Sequence, residues 1–168
     1  MTKRWSWHCL AAAACSLGLG VVALTASAGA QGTDPGWTTV EERFATRVEI
    51  PRGVFTMAAE NDPTTGHVFT TADGRARLHV FALRNEQNES PARFLRRNFT
   101  KDRRVLTYDR VASNFFVVSR PKDDRILYRR CNFARDGVIR CVEFEYPRAE
   151  KRAWDATVTR VSLSLRPR

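Results

Sequence analysis

Hydrophobic and polar positions alternate with a period of two along most of the chain after Phe44, which predicts strands more often than helices. Phe44 to Ile50 alternates until Pro51 stops it, and Val54 to Met57 reads as a short second strand. Glu60 to Gly66 is dense in turn formers and predicts a loop. His67 to Ala72 and Arg75 to Leu83 follow as strands joined at Asp73-Gly74. In the second of these, Ala76, Leu78, Val80 and Ala82 point one way, and Arg75, Arg77, His79 and Phe81 the other. After a polar loop from Arg84 to Glu89, Ser90 can cap a helix and Pro91 suits its first turn. Ala92, Leu95 and Phe99 share one face of that short helix. Strands return at Val105 to Val111 and Phe115 to Ser119; the unbroken run Phe115-Phe116-Val117-Val118 predicts a strand covered on both faces. The last element, Arg148 to Leu165, is a helix with Trp154, Val158, Val161 and Leu165 in one apolar stripe.

Between Phe115 and the closing helix lies the most informative local pattern. Ile126 to Phe133 and Val138 to Tyr146 both read as strands, with Arg135-Asp136-Gly137 between them. A two-residue turn would put Cys131 and Cys141 on opposite faces. A three-residue loop with Gly137 in the left-handed position sets them directly opposite each other. The same register pairs Phe133 with Ile139, Arg129 with Glu143, Tyr128 with Phe144, and Ile126 with Tyr146. It yields a disulfide, an ion pair and apolar cross-strand contacts together, and is the register predicted.

Strands joined by turns too short for crossovers make the sheet largely antiparallel, with two helices to cover it. The expected class is therefore α+β, one domain over residues 44–168 preceded by a flexible leader, 31–43. Val48-Glu49-Ile50-Pro51, Gly66-His67-Val68-Phe69, Ala72-Asp73-Gly74-Arg75-Ala76 and Glu143-Phe144-Glu145-Tyr146-Pro147 ahead of a helix with Trp154-Asp155 carry a resemblance. In pattern and order the chain resembles small bacterial exported proteins with a PsbP-like fold, the fold of the extrinsic P subunit of photosystem II. The resemblance implies an α/β/α sandwich and a non-enzymatic binding or assembly role. It has no catalytic motif, and the photosynthetic role does not carry over.

The first thirty residues change the picture of where the protein works. Lys3 and Arg4 precede an uncharged stretch from Cys9 to about Ala28, which ends in small-x-small sites. That is a secretory signal, cut after Ala30 or else after Ala28; the competing reading is an uncleaved anchor. The exported chain is then periplasmic or secreted, and of its four cysteines only Cys131 and Cys141 remain, an even number suited to an oxidising compartment.

Loss of Lys3 and Arg4 takes the formal charge from +10 to +8. Outside the cytoplasm such charge favours anionic lipid, lipopolysaccharide, acidic polysaccharide or acidic protein over nucleic acid. Its densest stretch runs from Arg93 to Arg110 with Tyr108 in it, and there Arg93, Arg96, Arg97, Lys101, Arg103 and Arg104 are the candidate surface for an anionic partner. Glu143 and Glu145 stand about 7 Å apart on one strand face, a spacing that glycoside chemistry could use, although Arg129 makes ion pairing the better explanation. His67 and His79 complete the histidines after the signal. No nucleophile elbow, clustered metal ligands or nucleotide fingerprint is present, so no catalytic, metal or cofactor site is expected. The alternatives are an envelope hydrolase using Glu143 or His67, and a protein that recognises anionic lipid by charge alone.

Overall fold

A computed structural model describes residues 36–58, 65–100 and 102–167. The signal segment, its cleavage sites, the first part of the leader and Lys101 lie outside the described residues. Seven antiparallel strands form the main sheet: β3 (Thr56–Met57), β4 (His67–Thr70), β5 (Arg77–Arg84), β6 (Tyr108–Val111), β7 (Phe115–Lys122), β8 (Arg125–Phe133) and β9 (Val138–Pro147). Their order is β3-β4-β5-β9-β8-β7-β6, so the long hairpin β8–β9 sits at the centre. A second sheet joins β1 (Trp37–Glu42), β2 (Thr46–Pro51) and β10 (Arg166–Pro167) in the order β1-β2-β10. Helix α1 (Pro91–Asn98) and helix α2 (Lys151–Ser164), the latter preceded by a 3₁₀ turn at Arg148–Glu150, complete the fold.

The alternation that predicts each strand also divides the main sheet into two cores. Leu78, Val80, Val142 and Phe144 face β2 of the small sheet and the α2 stripe of Val158, Val161 and Leu165. Phe116, Val118, Cys131, Ile139 and Cys141 face Phe94 and Leu95 of α1 on the opposite side. Phe116, Val117 and Val118 are all buried, as a strand covered on both faces requires. The result is an α/β/α sandwich, with the small sheet sharing one layer with α2.

The central hairpin has the register that its sequence predicts. Cys131 lies opposite Cys141, Phe133 opposite Ile139, Arg129 opposite Glu143, Tyr128 opposite Phe144 and Ile126 opposite Tyr146. The Cys131–Cys141 disulfide is formed. Gly137, at φ +71°, takes the left-handed position in a turn closed by Gly137 N–H donating to the Ala134 carbonyl. Gly66 is required for a different reason: a Cβ there would collide with the Val80 carbonyl and Phe81.

Most strand ends shift by a few residues, and larger differences from the sequence reading fall at β1, the β1–β2 tip and β6. The leader assigned to residues 31–43 contains strand β1, which pairs with β2 from Trp37↔Pro51 to Glu42↔Thr46. Its Gly-Pro-Thr start hides a strand because Thr38, Val40 and Glu42 alternate only weakly, and pairing rather than propensity holds it. Phe44 and Ala45, expected to open a strand, instead form the hairpin tip with φ of +54° and +52°. Val105 belongs to a 3₁₀ turn, Arg103–Val105, ahead of β6. Helix α1 begins as expected, with the Ser90 side chain accepting from Arg93 N–H, but it buries Phe94 along with Leu95.

Candidate binding groove between the closing helix and the sheet

The charge of the expected basic surface is largely neutralised within the fold. Arg93 and Arg97 both reach the buried Glu89 carboxylate, Arg97 at 2.7 Å and Arg93 at 3.6 Å. Arg104 pairs with Asp102 at 3.0 Å, and Arg103 pairs with Asp109. Only Arg96 of the described candidates has neither an ion pair nor a hydrogen bond to a described residue. The strand carboxylates are equally engaged. Glu143 pairs with Arg129, and Glu145 with Lys122 at 2.9 Å and Arg125 at 3.2 Å. Arg129 in turn lies over the rings of Phe81 and Phe99. His79 gives Nε2 to the Thr65 carbonyl at 2.8 Å, and burial lowers its pKa. His67 meets Glu42 at 2.7 Å, with an orientation short of an aligned hydrogen bond. Glu42 is 1% exposed and tied to Arg43 N–H at 2.6 Å, so this pair links β1 to β4 inside the fold.

A different part of the molecule has unneutralised charge. Helix α2 covers the β9 side of the sheet and leaves a furrow over β8, β7 and β6. Cross-strand pairing lines up its floor in rows. Arg110, Val117 and Arg130 form one row, and Tyr108, Ser119 and Tyr128 the next. Ile126 and Tyr146 begin a third. Thr159 and Leu163 of α2 form the opposite wall, and two hollows of ≈ 300 and ≈ 290 Å³ share Tyr108, Tyr128 and Thr159. Tyr108 is 50% exposed and Leu163 67%, large surfaces to leave in water.

Phe115 organises the charge in this groove. Arg130 and Arg110 both lie over its ring, at 4.7 and 5.5 Å from the centroid. Arg130 Nε donates to Asn132 Oδ1 at 2.9 Å, and Asn132 Nδ2 donates to the Leu165 carbonyl at 2.9 Å. The end of α2 thus fixes the guanidinium through one amide. Burial lowers the Arg130 pKa, and the neighbouring Arg110 charge lowers it further. No carboxylate among the described residues pairs with either arginine. Two like charges, one partly desolvated, suit an anion by their chemistry.

Deeper in the groove, Tyr128 donates to Ser162 Oγ at 3.0 Å, and its pKa is raised by burial. Burial pushes Tyr146 up to about 12, so its hydroxyl remains a donor. Lys151 and Asp155 pair at 2.9 Å at the far end. Among the described residues no group of metal-ligand type is assembled, and no helix is long and apolar enough to cross a membrane.

The sequence reading included Arg110 and Tyr108 in a basic stretch but did not connect them with Phe115, Tyr128 or Arg130. Alternation alone puts Tyr108 with Arg110 and Tyr128 with Arg130 on single faces. It does not say that β6 and β8 flank β7.

No protein-family model matches the chain, and no curated protein matches it in sequence. Among solved structures, it is similar to the solution structure of cyanobacterial PsbP (CyanoP) from Synechocystis sp. PCC 6803. The TM-score is 0.58 at 10% identity, over 86% of this chain and 99% of that one. The fold is PsbP-like.

Proposed function

We propose that this chain is an exported, non-catalytic binding protein that takes an anionic partner into the groove beneath α2. The observation that carries the reading is the pair Arg110 and Arg130, held against Phe115 with no carboxylate partner among the described residues. Export is supported by the charged, apolar and small-residue order of the first thirty residues and by a disulfide between two fully buried cysteines. Binding rather than catalysis is supported by the ion pairs that engage Glu143 and Glu145, and by the burial of Glu42 beside His67.

Calorimetry with polyglutamate, a probe offering charge and little else, tests the reading. Arg110→Gln with Arg130→Gln should weaken binding at least about tenfold, the worth of one or two charge-assisted hydrogen bonds. Arg96→Gln should leave it nearly unchanged. Equal losses from the two variants would move the site to α1 and sink the assignment. The compartment has its own measurement: the intact mass of the exported protein should correspond to a chain starting at Gln31, or at Gly29 if the alternative site is used.

A further inference from the structure

We infer that the groove's ligand is an acidic glycan, a short run of sugars carrying carboxylates among their hydroxyls. This rests on the reading that Arg110 and Arg130 take an anion, and it adds what the remainder of the groove recognises. Past the arginine row the surface is rich in side-chain hydroxyls rather than aliphatic groups. Tyr108, Tyr146 and Thr159 all line it, and none of their hydroxyls bonds to another described residue. Thr107, which donates to the Ser119 carbonyl at 3.2 Å, adds an acceptor at the rim.

An acyl chain laid here would cover those hydroxyls without satisfying them, which penalises each one. That argues against a lipid tail as occupant. An acidic peptide would meet the arginines, but its own amides and carbonyls also need partners. The groove floor offers side chains standing on the face of a sheet whose central-strand backbone is already paired. A sugar has the matching chemistry: hydroxyls that both donate and accept, and apolar C–H faces. Tyr108, half exposed, supplies flat apolar surface and a polar tip.

The layout fits a short chain better than one ring. Arg130 and the Tyr146 row are four positions apart along β8, about 13 Å at the rise of a strand. A carboxylate at the arginine end therefore leaves room for further sugar hydroxyls toward Tyr146 and Lys151.

The probes are trigalacturonic acid, neutral maltotriose, polyglutamate and phosphatidylglycerol vesicles, each titrated into the purified exported chain. Trigalacturonic acid is expected to bind, and maltotriose to bind at least about tenfold more weakly for want of the carboxylates. Tyr146→Phe, which keeps the ring and removes only the hydroxyl, should weaken the acidic trimer several-fold and leave polyglutamate unchanged. Its thermal unfolding should match the parent, so a loss would reflect recognition. If polyglutamate or the vesicles bind through the two arginines and the trimer does not, the glycan assignment falls while the anionic groove stands. If no probe loses affinity in the Arg110→Gln, Arg130→Gln variant, both fall together.

Discussion

Among the described residues, the arginine with the least contact with water is not in the groove. Arg140, 1% exposed, sends Nη2 to Asp136 Oδ2 at 2.6 Å and to the Phe44 carbonyl at 2.9 Å, and Nη1 to Asp136 Oδ1 at 3.2 Å. It therefore holds the left-handed tip of the β1–β2 hairpin against the turn of the β8–β9 hairpin. The pair is asymmetric, because the Asp136 side chain is 46% exposed and can return to water whereas Arg140 cannot. Asp136→Asn strands a buried charge and should cost about 3 kcal/mol in urea unfolding. Arg140→Met, which removes that charge, should cost less, about 1 kcal/mol. Equal losses would contradict the asymmetry. The hydrogen bond from Arg140 holds the Asp136 carboxyl below its ordinary 3.8, so its folded pKa is depressed. Its contribution is complete above that ordinary value and declines as pH falls through the lower folded one. The gap between parent and Asp136→Asn should accordingly narrow on acidification below pH 3.8.

Among the elements, the β8–β9 hairpin was the most legible in sequence and β1 the least, for the same physical reason. In the hairpin every determinant is local: Gly137 fixes the turn, and the turn fixes which residues oppose. Strand β1 has a partner nearby, but its hairpin tip uses Phe44 and Ala45 at positive φ where glycine or asparagine would announce a turn. The α2 stripe was equally readable because a helix states its buried face in its own spacing. The groove was not, since it depends on how far α2 extends across the strands. Cys131 and Cys141 are both fully buried, so reductant should reach their bond only through unfolding or local opening. Replacing both by alanine should lower stability by about 2–3 kcal/mol, the range for so short a closed loop. The strand register should survive, because Arg129–Glu143 and Tyr128–Phe144 remain opposite. Amide exchange across β8 and β9 would check this; loss of protection along the whole hairpin would mean that the disulfide, not the register contacts, aligns the strands.

At the scale of the molecule, the positive charge is divided between two faces of one sheet, and the carboxylates that pair with it are gathered on one of them. On the α1 face, Glu89, Asp102, Asp109, Glu143 and Glu145 engage most of the nearby arginines. On the α2 face, Arg110 and Arg130 have no such partner among the described residues. A helix layer stands roughly 10 Å from a sheet, and the screening length at 0.15 M salt is about 8 Å. Arg96 and the groove should therefore act independently at physiological salt and communicate when salt is removed. Arg96→Glu is expected to leave polyglutamate affinity within about twofold at 0.15 M salt and to slow association near 0.01 M, where screening extends to about 30 Å. Arg110→Glu should weaken binding about tenfold or more at both concentrations, because it acts at contact distance. Stopped-flow association at the two salt concentrations separates these roles. An Arg96→Glu loss at 0.15 M as large as that of Arg110→Glu would place the basic helix inside the interface and would require the partner to span both faces of the sheet.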